Sequence, residues 1–417
     1  MSDRLCATLG AFEAFLTIST MSNPHLPAEL LDHIVDLLHD TEYALRNCCL
    51  ISKAWIPRTR KHLFAEITFY TEEDLQSWKK TFSDPLTSPA RYVKSLSVRR
   101  PAVVTAADRE PGGWITGFSR VVHLEVDCYQ LLYHEFVGSF VPFHGLSSVV
   151  KSLRLYFIYL LSSKITDLIL SFPLLEDLTM AAYAKVVTWR DGGSDATSTA
   201  IGPSSSPPFT GSLRLTLPGG IKPIAIRLLS LPSGIHFKKL NLRCRKEDLP
   251  LTMGLVEGCS HTLESLDITC ISRCKLAFIC VHTNHSILFL AQSRSASIDL
   301  SKATGLKDTA FRGEPQTLGW IAMALQTITP KHRDLRQILI DVYYPDVGID
   351  VRKTIGEVAC VQWSELDHIL VQFWESRSIR PRAIWTPLGE EKENTWKRDC
   401  IGCLLPEVMR RGIIDLT

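Results

Sequence analysis

The chain has 417 residues, 45% hydrophobic and 22% charged, which is enough apolar side chain for a large core and too much for a disordered chain. Its 46 basic and 44 acidic residues leave a formal net charge of +2, so no bulk attraction to nucleic acid or anionic membrane is expected. No apolar run reaches the ~18–20 residues of a membrane-spanning helix, and the 12 cysteines, scattered from Cys6 to Cys403, read as reduced, mostly buried thiols of a cytoplasmic or nuclear protein.

Residues 1–22 read as a flexible N-terminal extension. Glu13 interrupts their apolar run and no small-residue cleavage pattern follows, so a signal peptide is not expected, and Met21 opens a more natural start. Pro27 then suits the first position of a helix, where its missing N–H costs nothing. Leu30, Leu31, Ile34, Val35, Leu37 and Leu38 follow at spacings of three and four, giving a helix of about three turns one wide apolar face. Asp40 or Thr41 can cap a second helix carrying Leu45, Cys48, Cys49 and Ile51, and after Trp55 a third short helix can start at Pro57 and carry Leu63 and Phe64. Three short helices in about 40 residues bury little surface on their own. Some of these apolar side chains are therefore expected to face a partner or the following domain.

The ordered set Leu26, Pro27, Glu29, Leu30, Ile34, Leu37, Leu38, Leu45, Cys49, Ile51 and Trp55 resembles the F-box, over roughly 40 of the 417 residues. In that family the helices interlock with the Skp adaptor subunit. The resemblance implies that these eleven positions bind the adaptor and, through it, a cullin. Within the third helix Arg58, Arg60 and Lys61 form a basic cluster, expected as a solvated face.

From about residue 90 a short phrase with apolar residues two apart recurs, the period of a strand buried on one face. It occupies 93–98, 121–126, 150–155, 175–180, 212–217, 237–242, 263–268 and 335–340. The steps between anchor leucines are 28 (Leu96 to Leu124), 29 (to Leu153) and 25 (to Leu178), then 27 (Leu213 to Leu240) and 26 (to Leu266), with a longer step of 34 to Leu300. Residues 162–173 and 249–260 read as helical returns between strands. This spacing resembles leucine-rich repeats, without the asparagine ladder: Arg245 and Ile271 stand where Asn or Cys is usual. Together with the C-terminal phrases 363–370 and 404–416, it resembles the degenerate arrays that follow F-boxes in many fungal proteins.

The expected fold class is α/β, an N-terminal three-helix F-box followed by an irregular leucine-rich-repeat solenoid. The expected divisions are an F-box over 23–70, a connecting helix or linker over 71–90, and the array over 91–417, with a disordered Gly/Ser/Pro loop near 189–211. Ser206 and Pro207 in that loop form a phosphorylatable pair, although an inert insertion is the default.

No phosphate-binding loop, dinucleotide fingerprint, kinase motif set or nucleophile elbow is present, so no catalytic residue is assigned and no cofactor is expected. Cys270, Cys274, Cys280, His282 and His285 offer zinc-type ligands, but not in paired-knuckle spacing, and part of the stretch reads as a strand; no metal site is assigned. Cys400 and Cys403 have redox spacing without a thioredoxin-like context. Trp363, Trp374, Trp385 and Trp396 crowd the C-terminal third, as core by default or as an aromatic-lined binding surface. The resemblance implies a substrate-receptor subunit of a Skp–cullin–F-box ubiquitin ligase that holds an unknown target protein on the array and does no bond chemistry itself. The alternative is a repeat scaffold without a ligase role. Neither nucleic acid nor membrane is expected as a partner.

Overall fold

A computed structural model of the chain describes residues 27–51, 53–84, 87–99, 114–128, 141–146, 148–157, 165, 168–182, 207–217, 220–271, 298–313, 318–343, 360–377, 382–386 and 405–413. The first of these form three helices, α1 (Ala28–Leu37), α2 (Glu42–Ile51) and α3 (Ile56–Leu63). Two residues after α3 the chain enters β1 (Glu66–Phe69), and helix α4 (Glu72–Thr81) follows. A capping box starts α4: Asp74 N–H donates to Thr71 Oγ1 at 3.2 Å while Thr71 N–H donates to the Asp74 carboxylate at 3.1 Å.

Ten further strands complete one sheet. They are β2 (Ser95–Arg99), β3 (His123–Cys128), β4 (Ser152–Phe157), β5 (Asp177–Ala182), β6 (Ser212–Thr216), β7 (Lys239–Arg245), β8 (Ser265–Ile271), β9 (Asp308–Gly313), β10 (Gln337–Tyr343) and β11 (Arg382–Thr386). All eleven pair in parallel and in chain order. Leu96, Leu124, Leu153, Leu178, Leu213, Leu240 and Leu266 stand opposite one another and are buried, as are Val98, Val126, Leu155, Met180, Leu215, Leu242 and Ile268 two residues on. Each strand thus buries alternate residues, and the residues between them make a polar outward face.

A recurring hydrogen bond sets this register. The carbonyl before a strand accepts two successive N–H groups at the entry of the next: Lys94 takes Val122 and His123, Val122 takes Lys151 and Ser152, and Lys238 takes Glu264 and Ser265. Between β5 and β6 the two amides are shared: the Glu176 carbonyl accepts the Gly211 N–H at 3.1 Å and a side chain takes the second. The Asp177 carboxylate accepts the Ser212 N–H at 2.6 Å and its hydroxyl at 2.7 Å. The chain passes so close there that a Cβ on Gly211 would lie 2.3 Å from that carboxylate, so a larger residue at 211 would push Asp177 off its Ser212 hydrogen bonds.

The expected fold class is corrected by this arrangement. The described residues make an α/β fold with a single all-parallel sheet, and they do not show an irregular leucine-rich-repeat solenoid. The sheet opens at β1, within the segment expected to be F-box alone, so no break falls near 91. Among the described residues the connections differ: short 3₁₀ turns (Trp114–Gly117, Val141–Leu146) lie between early strands, and helices α5 (Lys222–Leu229), α6 (Leu249–Gly258), α7 (Leu318–Gln326) and α8 (Cys360–Arg377) between later ones. Period-two alternation specifies a strand with one buried face; it does not specify what joins the strands.

The anchor expected at Leu300 is also displaced. Thr309 of β9 stands opposite Leu266, and Leu300 lies in an irregular segment before it. Leu300 N–H donates to Thr327 Oγ1 at 2.7 Å and its carbonyl lies 2.8 Å from Nε2 of buried His332. Of the expected 189–211 loop, residues 207–211 are described: Phe209 is buried, donates its N–H to the Leu175 carbonyl at 3.1 Å and packs on Phe237 with ring centroids 5.1 Å apart. At the C-terminal end, the buried Asp367 carboxylate on α8 accepts the first two amides of α9 (Pro406–Arg410), Glu407 N–H at 3.1 Å and Val408 N–H at 2.9 Å.

The register makes a single-residue prediction. Leu153→Ala should cost about 2–5 kcal/mol of stability, whereas the adjacent outward Arg154→Ala should stay within about 0.5 kcal/mol. Denaturant unfolding of the two variants checks it, because a one-residue slip would exchange the two effects.

Candidate functional site

The three helices have an apolar core of their own, made by Val35, Leu38, Leu45, Cys48 and Trp55 with Leu31, Ile34, Ala44 and Leu63 packed around it. It is separate from the large core beneath the sheet. The two regions meet at an aromatic cluster in which Trp78 of α4 lies 6.2 Å from Phe64, 5.7 Å from Phe69 and 5.9 Å from Phe118 between ring centroids.

So small a core leaves large apolar side chains outside. Leu30 and Leu37 on α1 are 50% and 70% exposed, and Tyr43 and Leu50 on α2 are 73% and 85% exposed. Within each pair the residues are seven apart, two helical turns, so each pair forms a stripe. On α1 that stripe is about a quarter turn from the buried one, and on α2 it is almost opposite. Both helices are therefore apolar on two sides, one filled by the head's own core and one open.

An ionic clamp holds α1 against α3. Arg58 donates from Nε to Asp36 Oδ1 at 2.7 Å and from Nη2 to Asp36 Oδ2, and His62 Nε2 lies 2.7 Å from Asp36 Oδ1. The Arg58 hydrogen bonds, and then that of His62, hold the Asp36 carboxyl well below the usual carboxylate range. Arg58 is thus engaged within the head, not part of a solvated basic face. Inside α3, buried Thr59 donates to the Trp55 carbonyl at 2.6 Å and lies 3.0 Å from Cys49 Sγ.

The eleven positions of the F-box-like pattern therefore separate. Leu26 lies outside the described residues, as does the side chain of Ile51. Pro27 is the N-cap of α1, one position earlier than expected, and is exposed along with Glu29, Leu30 and Leu37. Ile34 and Cys49 are half-buried, while Leu38, Leu45 and Trp55 belong to the head's core and present no free surface. Sequence reasoning missed Tyr43 and Leu50. The available signal was their seven-residue spacing, read against a second helix whose inward positions were already filled by Leu45 and Cys48.

The other candidates do not assemble into a site. Among the described residues no group of His, Cys, Asp and Glu is placed to hold a metal ion. Cys270 is buried opposite Cys244 in the sheet; Cys274, Cys280, His282, His285, Trp396, Cys400, Cys403 and Ser206 lie outside the described residues. Trp363 is buried in the main core with Trp374 packed against it. Among the described residues no helix is long and apolar enough to cross a membrane. No protein-family model matches this chain, and no curated protein matches it.

The clamp carries a pH signature. Asp36 is stabilised as the carboxylate in the folded head, so its contribution is complete above its ordinary value of 3.8 and is lost as pH falls below it. Asp36→Asn should cost about 1 kcal/mol near neutral pH, scaled for a carboxylate that is over a third exposed. It should also flatten the wild-type loss of stability between pH ~4 and ~2. Thermal unfolding of both proteins across that range checks it.

Proposed function

We propose that this chain is the substrate-receptor subunit of a Skp–cullin–F-box ubiquitin ligase. Its helical head docks on the Skp adaptor, which sits on a cullin, and another surface holds a target protein. The observation that carries the reading is the pair of open apolar stripes, Leu30 with Leu37 and Tyr43 with Leu50, on helices that already fill a core with other side chains. Exposed apolar side chains concentrated on one small element mark a protein interaction surface. The F-box-like order of residues says which partner's helices would fill it.

The mechanism is one of proximity. Held next to a charged ubiquitin carrier, a target's lysines experience a raised effective concentration, and the receptor performs no bond chemistry. The cytoplasm and nucleus, where such machinery works, suit the thiols: Cys244 and Cys270 face each other across β7 and β8 and are not joined.

Co-expression with the Skp adaptor tests the reading. Wild type should elute as a stoichiometric complex. Leu37→Ala with Leu50→Ala should weaken it by ~2 kcal/mol or more, the cost of truncating buried hot spots, while barely changing the stability of the free chain, where both side chains are exposed. A wild-type chain that elutes alone would leave a scaffold without a ligase role.

A further inference from the structure

We infer that the outward face of the sheet at β6 and β7 binds an acidic polypeptide segment. The inference rests on the receptor reading only in making that segment part of the target. In β7, Leu240, Leu242 and Cys244 point into the core. The intervening outward residues are Lys239, Asn241, Arg243 and Arg245, so every outward position but one is cationic. On the adjacent strand Arg214 stands opposite Asn241, and Lys239, Arg243 and Arg214 are all exposed.

Two carboxylates act on the edges of the stripe, Asp267 on Arg214 and Glu264 on Lys239, but each is ion-paired with a cation outside it, Arg312 and Lys307 respectively. Asp267, opposite Asn241 on β8, has a side chain only 20% exposed; it accepts from Asn241 Nδ2 at 3.1 Å and pairs with Arg312 at 3.4 Å on its far side. In a chain whose formal net charge is only +2, this is a local concentration of charge. Arginine's planar fork matches a carboxylate in two-point geometry. Outward side chains on one strand recur every ~7 Å and a neighbouring strand lies ~4.8 Å away, which suits acidic residues at alternate positions of an extended peptide.

A nucleic acid fits less well. The stripe is one to two strands wide, with Asp177 on β5 and Asp267 on β8 flanking it against a continuous polyanion. Among the described residues of β5 to β8, no aromatic side chain lies outward on which a base could stack.

The test is fluorescence anisotropy with the full chain and labelled synthetic peptides carrying Glu, Gln or Lys at alternate positions, with an oligouridine in parallel. The Glu peptide should bind, and more weakly as salt is raised. Arg214→Glu with Arg243→Glu should weaken it at least ~10-fold, whereas Arg227→Glu on α5 should not. If the charge reversals disturb folding, Arg214→Gln with Arg243→Gln should give the same direction of change. Equal binding of the Gln peptide, tighter binding of oligouridine, or unchanged binding by a folded double variant would overturn the inference. Co-elution with the adaptor is scored separately: adaptor binding without peptide binding overturns only the stripe, and peptide binding without adaptor binding overturns only the receptor reading.

Discussion

Register in the parallel sheet is the constraint on which the rest of the structure depends. Because side chains alternate strictly along a strand, placing Leu96, Leu124, Leu153 and their successors opposite one another buries one whole face and turns the other outward. Local backbone chemistry enforces this at the entries of β2 to β5 and β7 to β10, one carbonyl taking two amides, and at β6 the Glu176 carbonyl takes one amide and the Asp177 carboxylate the other. The basic character of the outward face at β7 follows directly: with Leu240 and Leu242 committed inward, Lys239 and Arg243 have nowhere to go but out.

The helical head answers to a different constraint, its size. Three short helices enclose only a handful of side chains, and Val35, Leu38, Leu45, Cys48 and Trp55 fill that space. Apolar residues beyond that number stay in water unless a partner covers them, at ~25 cal/mol per Å² of apolar surface left uncovered. Polar chemistry compensates inside the head, where Arg58 and His62 converge on Asp36, and Trp78 and its aromatic neighbours fasten the head to the first strand. The head is thus held as a unit while its outer stripes remain exposed.

Sequence patterning made some of this legible and hid the rest for identifiable reasons. The strand phrases and the in-register leucines from Leu96 to Leu266 were readable because period-two burial is a local property. Leu300 was misplaced because spacing was extended across a long connection, where Thr309 takes the buried position instead. The fold class was misread because spacing says where strands recur and not what returns the chain. In the head, the resemblance assigned Leu38, Leu45 and Trp55 to a partner, and in the free chain these side chains pack in the head's own core. It passed over Tyr43 and Leu50, because one-dimensional pattern does not separate two apolar sides of a helix. The Asp36–Arg58 pair joins residues on different helices and has no local signature.

The most direct test of the docking account is hydrogen–deuterium exchange of the full chain, free and with the Skp adaptor. The account predicts slowed exchange confined to 28–51, where α1 and α2 carry the open stripes, with β2 to β10 unchanged. Slowing in the sheet with none in α1 and α2 would contradict it.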